Sequence, residues 1–457
     1  MEWKRMLGPA AFTAILLAAP AEAQEVETED LTLDIGGYGS FRYEANESDE
    51  VPSSITFRRF VVTTDARWKD RFQVYSEIEY ERLSEIEVER GVSAEDGGLE
   101  FEQELEGTNG SELAVEQAWG QFDFNDAWGL RFGAVLPPVG RFNLNHDDNL
   151  WNLPRRPLID RAANVLPVSA AWTELGIGLV GEAYAGEIPI RWQAYVMNGV
   201  DLDFAIEEKV VTHDPARDIL LLEAVVSPTA GAFDGSNTTD AFSGRISISP
   251  TLGSEIVFSG YAGDYTPDYL EEDASIWTVG VDGRVRLGPA YLEGEYLHTE
   301  YGDLDAVLTD FARVAREHAT STSGAEAADL ETEIEIEVEG VSDTRDGFWI
   351  DLGWPIPLER GVLGLDNATL IPILRYERVA FDGDVAEFDF AGGHVTELEQ
   401  VERTQQRVSA GIAFRPIPQA VFHLVYERND AIDGDLIDPG IGEDSTNAVT
   451  LGMAFGF

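Results

Sequence analysis

The sequence predicts an all-β fold, a transmembrane antiparallel β-barrel of about 16 strands with long extracellular loops and short periplasmic turns. Three observations predict it. Apolar and polar residues alternate in many short segments, the connections between these segments alternate between short and long, and the N-terminus has the pattern of an export signal. Short turns on one side of the membrane and long loops on the other are typical of barrels that span an outer membrane.

The first 23 residues have the pattern of a secretory signal peptide. A basic start precedes a short apolar run, and Ala21-Glu22-Ala23 fits the small-x-small cleavage pattern. The apolar run is too short to cross a hydrocarbon core of roughly 30 Å. We therefore expect a cleaved signal at 1–23, a short periplasmic segment at 24–30 and a barrel over 31–457.

Alternation of period two defines the strands, because successive side chains of a strand point to opposite faces. At the start of the barrel, Leu31, Leu33 and Ile35 lie on one face, and Thr32 and Asp34 lie on the other. Sixteen candidate strands follow from this pattern, near 31–43, 56–68, 71–85, 113–125, 129–136, 171–183, 188–197, 239–249, 253–263, 274–287, 290–299, 344–354, 366–379, 405–415, 419–428 and 448–457.

The composition excludes several classes of function. The chain carries 85 acidic against 31 basic residues, a formal net charge of -54, and this charge would repel nucleic-acid phosphates. It has no cysteine, so disulfide scaffolds and cysteine-ligated metal sites are excluded. The HExxH, GxSxG and P-loop motifs are also absent from the sequence, so we expect no enzyme.

A barrel of about sixteen strands encloses an aqueous channel, so its inward faces should be polar. Charged side chains on the lipid-facing side cost free energy, which favours an inward orientation for the strand arginines. By this parity the residues predicted to line the lumen are Arg42, Arg59, Arg67, Arg131, Arg191, Arg245, Arg284, Arg286, Arg375, Arg407 and Arg415.

The connection at 137–170 differs from the other long loops because it carries four arginines against three aspartates. Opposed arginines and aspartates in a narrow part of a channel create a transverse field that sorts solutes by charge. We expect this loop to fold into the barrel; an external loop held by its own ion pairs is the alternative. The predicted constriction residues are Arg141, His146, Asp147, Asp148, Arg155, Arg156, Asp160 and Arg161.

Acidic side chains alternate with apolar ones outside the predicted strands, most clearly over 331–339. A solvated acidic rim is the first interpretation of this pattern. Binding of divalent cations is the second, with Glu333, Glu335, Glu337 and Glu339 as weak candidate ligands.

In the same long connection, 300–343, apolar residues at helical spacing predict a short amphipathic helix, either packed over the barrel mouth or acting as a lid.

The segment Gly129–Leu136 followed by Pro137-Pro138-Val139-Gly140 resembles the start of the third long loop in the phosphate-selective porins O and P. The strand that begins at Trp172-Thr173-Glu174 is also similar, as are the sixteen-strand count and the terminal aromatic residue Phe457. The resemblance covers the whole barrel in outline. It implies a homotrimeric outer-membrane channel with a ladder of basic residues that guides phosphate. This chain departs from the ladder, because its only lysines are Lys4, Lys69 and Lys209.

These observations predict a porin in the outer membrane of a Gram-negative bacterium. Small hydrophilic solutes and ions would diffuse through it, with a preference for anions or phosphate set by lumen arginines. We expect no cofactor, apart from divalent cations on the acidic loops, and we expect membrane lipid and lipopolysaccharide as partners. The alternative is a barrel that does not transport and instead displays acidic, cation-binding loops for adhesion or envelope integrity.

Overall fold

The computed structural model describes residues 26–28, 30–46, 54–81, 86–93, 100–107, 112–160, 164–169, 171–214, 217–230, 241–322, 331–358, 367–434 and 445–457. The predicted signal peptide and Arg161 lie outside these residues.

Sixteen strands form one closed antiparallel barrel, which confirms the predicted fold class. In chain order they are β1 (Leu31–Asn46), β2 (Ser54–Trp68), β3 (Phe72–Glu81), β4 (Glu112–Asn125), β5 (Trp128–Val135), β6 (Glu174–Ala185), β7 (Ile188–Met197), β8 (Ala241–Thr251), β9 (Ser254–Asp264), β10 (Ser275–Leu287), β11 (Ala290–Tyr301), β12 (Ser342–Gly353), β13 (Thr369–Ala391), β14 (His394–Ile417), β15 (Ala420–Asp433) and β16 (Ser445–Gly456). Each strand pairs with its neighbours in sequence, and β16 returns to β1 with Tyr38 opposite Gly456. Closure leaves no free edge, so the backbone groups of the wall are paired without water.

The two faces of the wall differ in chemistry, as the alternation predicts. Large apolar side chains such as Phe132, Phe258 and Leu424 are exposed on the outside. Polar and charged side chains such as Arg59 and Glu377 are buried on the inside. This is the arrangement of a barrel whose outer surface meets lipid acyl chains.

The connections at one end are tight. Between β2 and β3 the chain reverses at Lys69 and Asp70, both with positive φ (50° and 52°), and between β10 and β11 it reverses at Gly288 (φ 65°). Glycine adopts this backbone conformation without steric cost, which suits a two-residue turn. These short turns mark the periplasmic end of the barrel.

The connections at the other end carry structure of their own. A separate hairpin is formed by the strands Ile86–Ser93 and Glu100–Gly107. A second hairpin is formed by the strands Asp201–Asp214 and Arg217–Thr229. Its second strand pairs in parallel with the strand Glu331–Val338. That strand also meets the outer end of β13, at Glu333–Glu335 opposite Asp389–Ala391. The wall therefore continues above the membrane on this side.

Two helices are present in the described residues: α1 (Arg141–Leu144) and α2 (Leu304–Thr322). Helix α2 confirms the amphipathic helix predicted from spacing, since Leu304, Leu308 and Phe311 are buried. The Phe311 ring stacks on Phe204 of the second hairpin at a centroid distance of 4.0 Å. Helix α2 thus packs through its apolar face against the structured connections on the extracellular side. Within the described ranges, no helix is both long and apolar enough to cross a lipid bilayer.

Candidate functional site inside the barrel

The loop 137–170 enters the barrel directly after β5. Gly140 has φ 76°, and a Cβ at this position would come within 2.4 Å of Glu295 Oε1 on β11. The backbone N–H groups of Arg141 and Phe142 donate to the two Glu295 carboxylate oxygens at 2.8 and 3.1 Å. One inward glutamate therefore binds the start of α1, where backbone N–H groups have no helical acceptor.

The Arg141 side chain joins three inward carboxylates. Its Nε lies 2.6 Å from Glu293, and its Nη1 lies 3.0 Å from Glu255 and 3.6 Å from Asp282. Burial disfavours the charged guanidinium, but the Glu293 carboxylate outweighs burial and raises the pKa of Arg141 above its ordinary value. The residue predicted at the constriction is thus a permanent cation within an acidic group on β9, β10 and β11.

The next segment of the loop lies against the opposite wall. His146 is buried, with Nε2 3.3 Å from Glu116 of β4, and Asp148 accepts a hydrogen bond from Ser40 of β1 at 2.5 Å. Burial alone would lower the pKa of His146, but the Glu116 carboxylate raises it to about 9. For Asp148, burial is outweighed by the Arg59 guanidinium, 3.7 Å away on β2, which lowers the pKa.

Residues further along the loop are held by their backbone carbonyls. Arg415 of β14 donates to the carbonyl oxygens of Asn149, Leu150 and Trp151 at 2.9, 3.1 and 2.9 Å. His423 of β15 lies 3.2 Å from the Trp151 oxygen. Five donors on the guanidinium group allow one side chain to bind several carbonyls.

The last two described arginines of the loop both form ion pairs, one with distant strands and one within the loop. Arg155 contacts Glu44 of β1 and lies 2.8 Å from Glu427 of β15. Arg156 lies 3.2 Å from Asp160 within the loop. The loop is therefore bound on several sides of the barrel.

Several predicted lumen arginines are buried or half-buried in ion pairs between strands. Arg375 binds Asp351 at 2.6 and 2.8 Å, Arg407 binds Glu377 at 2.9 and 3.0 Å, Arg59 lies 3.1 Å from Glu79, and Arg245 lies 3.0 Å from Asp282. Arg407 also donates to the Arg156 carbonyl, at 2.5 Å. These arginines hold the wall and the loop together, and their charges are matched locally.

The other predicted lumen arginines are half-buried or exposed. Arg42 lies 3.3 Å from Glu44, and Arg131 donates to Gln121 at 2.9 Å, with its guanidinium 3.9 Å from the centre of the Trp119 ring. Arg67, Arg191 and Arg284 have side chains that are 55%, 64% and 42% exposed, and Arg286 is exposed as well. These four exposed side chains lie near the periplasmic turns.

A cavity of about 1060 Å³ opens at the periplasmic end between the turns that follow β6, β8, β10 and β12. We call it the periplasmic vestibule. Its charged lining consists of Arg141, Arg191, Arg284, Arg286, Glu187 and Glu255. The vestibule is therefore rich in arginine, although the chain as a whole is strongly acidic.

Sequence reasoning missed the inward carboxylates. Glu77, Glu79 and Glu81 alternate on β3, inside a predicted strand, but the sequence analysis assigned only arginines to the lumen. The buried acids on the described barrel strands are Glu77, Glu79, Glu81, Glu116, Glu174, Asp282, Glu295, Asp351, Glu377 and Glu427. These acids occupy the same face of the sheet as the inward arginines. The period-two alternation along each strand is the signal that could have assigned them to the lumen.

The candidate cation ligands of the acidic loops lie on the strand Glu331–Val338 and just beyond it. Glu335, Glu337 and Glu339 are exposed, and Glu333 is partly buried. Among the described residues, three potential ligand atoms come within 4.8 Å of one another in two other places, at Glu77, His146 and Asp147, and at Glu387, Asp389 and Glu397.

No protein-family model matches the chain. An uncharacterized protein of Aquifex aeolicus (strain VF5) is 26% identical over 298 residues, which cover 63% of this chain and 56% of that protein. The match thus spans just over half the length of that relative.

Among solved structures, Salmonella typhi OmpF in complex with daunomycin has a TM-score of 0.51 at 8% identity, over 95% of this chain and 100% of OmpF. The anion-selective porin from Comamonas acidovorans has a TM-score of 0.48 at 8% identity, over 94% of this chain and 100% of that porin.

At this identity the likeness to OmpF shows a shared barrel fold. A closed barrel with an apolar outer surface and a polar inside is built to span an outer membrane. The chain is located in the outer membrane of a Gram-negative bacterium.

Proposed function

We propose that this barrel is a porin, a channel through which small hydrophilic solutes and ions diffuse passively. The observation that carries the proposal is the combination of a closed sixteen-strand wall, a polar inside and a loop that narrows this inside without forming part of the wall. Barrels of sixteen strands are wide enough to enclose water, unlike barrels of eight. In this proposal the chain is not an enzyme and needs no cofactor for transport.

We assign a preference for anions to the periplasmic vestibule. Arg284 lies 3.9 Å from Glu293, a loose pair, and Arg286 donates to the Gly288 carbonyl at 3.3 Å. Both side chains therefore present cationic charge to water, and arginine binds phosphate and carboxylate groups through paired N–H donors. The buried arginines serve to position the loop, so the proposed selectivity does not depend on a continuous ladder along the wall.

Reversing charge in the vestibule should reverse the ion preference. We predict that the Arg284→Glu/Arg286→Glu double variant changes the sign of the reversal potential in a salt gradient, because rings of charge set selectivity. The matched control is Arg378→Glu/Arg428→Glu, which reverses two outward-facing charges on β13 and β15. An equal shift in the control, or none in the vestibule variant, would refute the assignment.

The resemblance to phosphate-selective porins supports a homotrimer that contacts lipopolysaccharide and membrane lipid through its outer surface. It also makes phosphate the first anion to compare with chloride. Both points belong to the proposal, and they rest on short motifs at the start of loop 137–170 and on the sixteen-strand count.

A second candidate is a barrel that does not conduct and serves adhesion or envelope integrity. The observation in its favour is the extent of internal packing, since the loop is bound on several sides of the wall and the apolar face of α2 is buried. The two candidates differ in whether water crosses the barrel. Recording of ion current through the purified protein distinguishes them.

A further inference from the structure

A group of buried titratable side chains lies where the loop meets β3 and β4. Glu77 and Glu116 come from the wall, and His146 and Asp147 come from the loop. Glu77 and His146 are each 2% exposed. One potential ligand atom from each of Glu77, His146 and Asp147 lies within 4.8 Å of the other two, which is the spacing of ligands around one metal ion.

The His146 ring is oriented by the loop itself. Its Nδ1 lies 2.8 Å from the Asn143 carbonyl oxygen, and because a carbonyl can only accept, Nδ1 carries the proton. Nε2 consequently faces the carboxylates, with Glu116 Oε2 at 3.3 Å. Metal-binding histidines commonly donate the other ring N–H to a backbone carbonyl in this manner. A proton or a metal ion on Nε2 would satisfy its carboxylate surroundings.

Glu77 supplies an independent observation. Its Oε2 accepts hydrogen bonds from Gln117 at 2.7 Å and from Tyr75 at 3.2 Å. Its Oε1 is buried and has no hydrogen-bond partner among the described residues. A buried acceptor without a partner costs about 1–3 kcal/mol, and more when the group is charged. The described residues therefore give this oxygen no hydrogen-bond donor. A bound cation would compensate for that loss.

The nearby cations are already engaged. Arg59 lies 3.1 Å from Glu79, 3.6 Å from Glu81 and 3.7 Å from Asp148. This guanidinium is therefore shared among three carboxylates other than Glu77.

We propose that Glu77, His146 and Asp147 bind a divalent transition-metal ion of the Zn²⁺ class, with Glu116 within reach as a fourth ligand. Imidazole combined with carboxylate suits zinc and its neighbours, whereas Ca²⁺ and Mg²⁺ favour sites made of oxygen alone. The ion would join β3 to the loop and fix the loop against this wall. The proposal does not depend on whether the barrel conducts.

Zn²⁺ titration of the full-length purified protein, stripped with a chelator and followed by calorimetry, tests the site. We expect about one tightly bound Zn²⁺ per chain, and Glu77→Gln or His146→Gln should weaken its binding at least about tenfold. The matched control is Glu387→Gln/Glu397→Gln, which removes two carboxylates from the exposed acidic cluster and should leave the tight binding unchanged. Tight binding that survives in both site variants, or that disappears in the control, would overturn the proposal.

Crystals of the wild-type protein grown with Zn²⁺ keep the test independent of how well the variants fold. Anomalous scattering at the zinc absorption edge should give a peak between Glu77, His146 and Asp147. A fully occupied zinc elsewhere in the barrel, with no peak at this position, would contradict the proposal.

Discussion

Removing the inner loop should raise the single-channel conductance several-fold. Val135 at the end of β5 pairs directly with Glu174 at the start of β6, so a short Gly-Ser linker can replace residues 138–171 without separating the two strands. The linker variant keeps the complete wall, and a sixteen-strand wall without an inner loop encloses a wide aqueous channel. The charges left on the wall would be solvated by the water that enters.

The control for this variant is removal of the outer hairpin formed by Ile86–Ser93 and Glu100–Gly107. The strands of this hairpin pair with each other and with no barrel strand among the described residues. Its removal should leave the conductance unchanged. If the linker variant folds, as shown by heat-dependent gel mobility, yet conducts like the wild type, the loop does not narrow the channel.

Truncating Glu377 should destabilise the barrel by about 3–5 kcal/mol, the usual effect of removing one partner from a buried ion pair. Glu377 is fully buried and accepts from Arg407 at 2.9 and 3.0 Å and from the Leu158 backbone N–H at 2.7 Å. In Glu377→Ala the Arg407 charge stays buried without its carboxylate, and the loop loses an anchor. The free energy of unfolding in urea, followed by tryptophan fluorescence in lipid vesicles, measures the effect.

Two variants make this measurement specific. Glu377→Gln keeps the volume and one acceptor but loses the charge, so its free energy of unfolding should lie between those of the wild type and Glu377→Ala. Glu337→Ala removes an exposed glutamate of the outer strand and should change the free energy by no more than about 0.5 kcal/mol. A Glu377→Ala protein as stable as the wild type would show that the buried pair does not hold the loop.

The barrel wall was predictable because the pattern that defines each strand lies within that strand. Each strand meets lipid on one face and the polar inside on the other, so alternation reports both its position and its orientation. The outer ends of β13 and β14 were missed, since they continue to Ala391 and His394, well past the predicted limits. Above the membrane an acidic side chain is acceptable on either face, so the alternation no longer marks the strand.

The inside of the barrel was less predictable because its contacts join residues far apart in sequence. Arg155 was a candidate, but its partners Glu44 and Glu427 lie 111 and 272 residues away. No local pattern connects them. The inward acids of β3 were not assigned to the lumen for a related reason, since alternating glutamates look the same in a strand that faces the lumen and in a strand exposed above the membrane.

Single-channel recording of the purified wild-type protein in a planar lipid bilayer tests the central claim most directly. The account predicts discrete current steps of uniform size, with a reversal potential on the anion side in a salt gradient. Folded protein that inserts into the bilayer and passes no ion current would contradict the channel, and would favour a barrel closed by its inner loop.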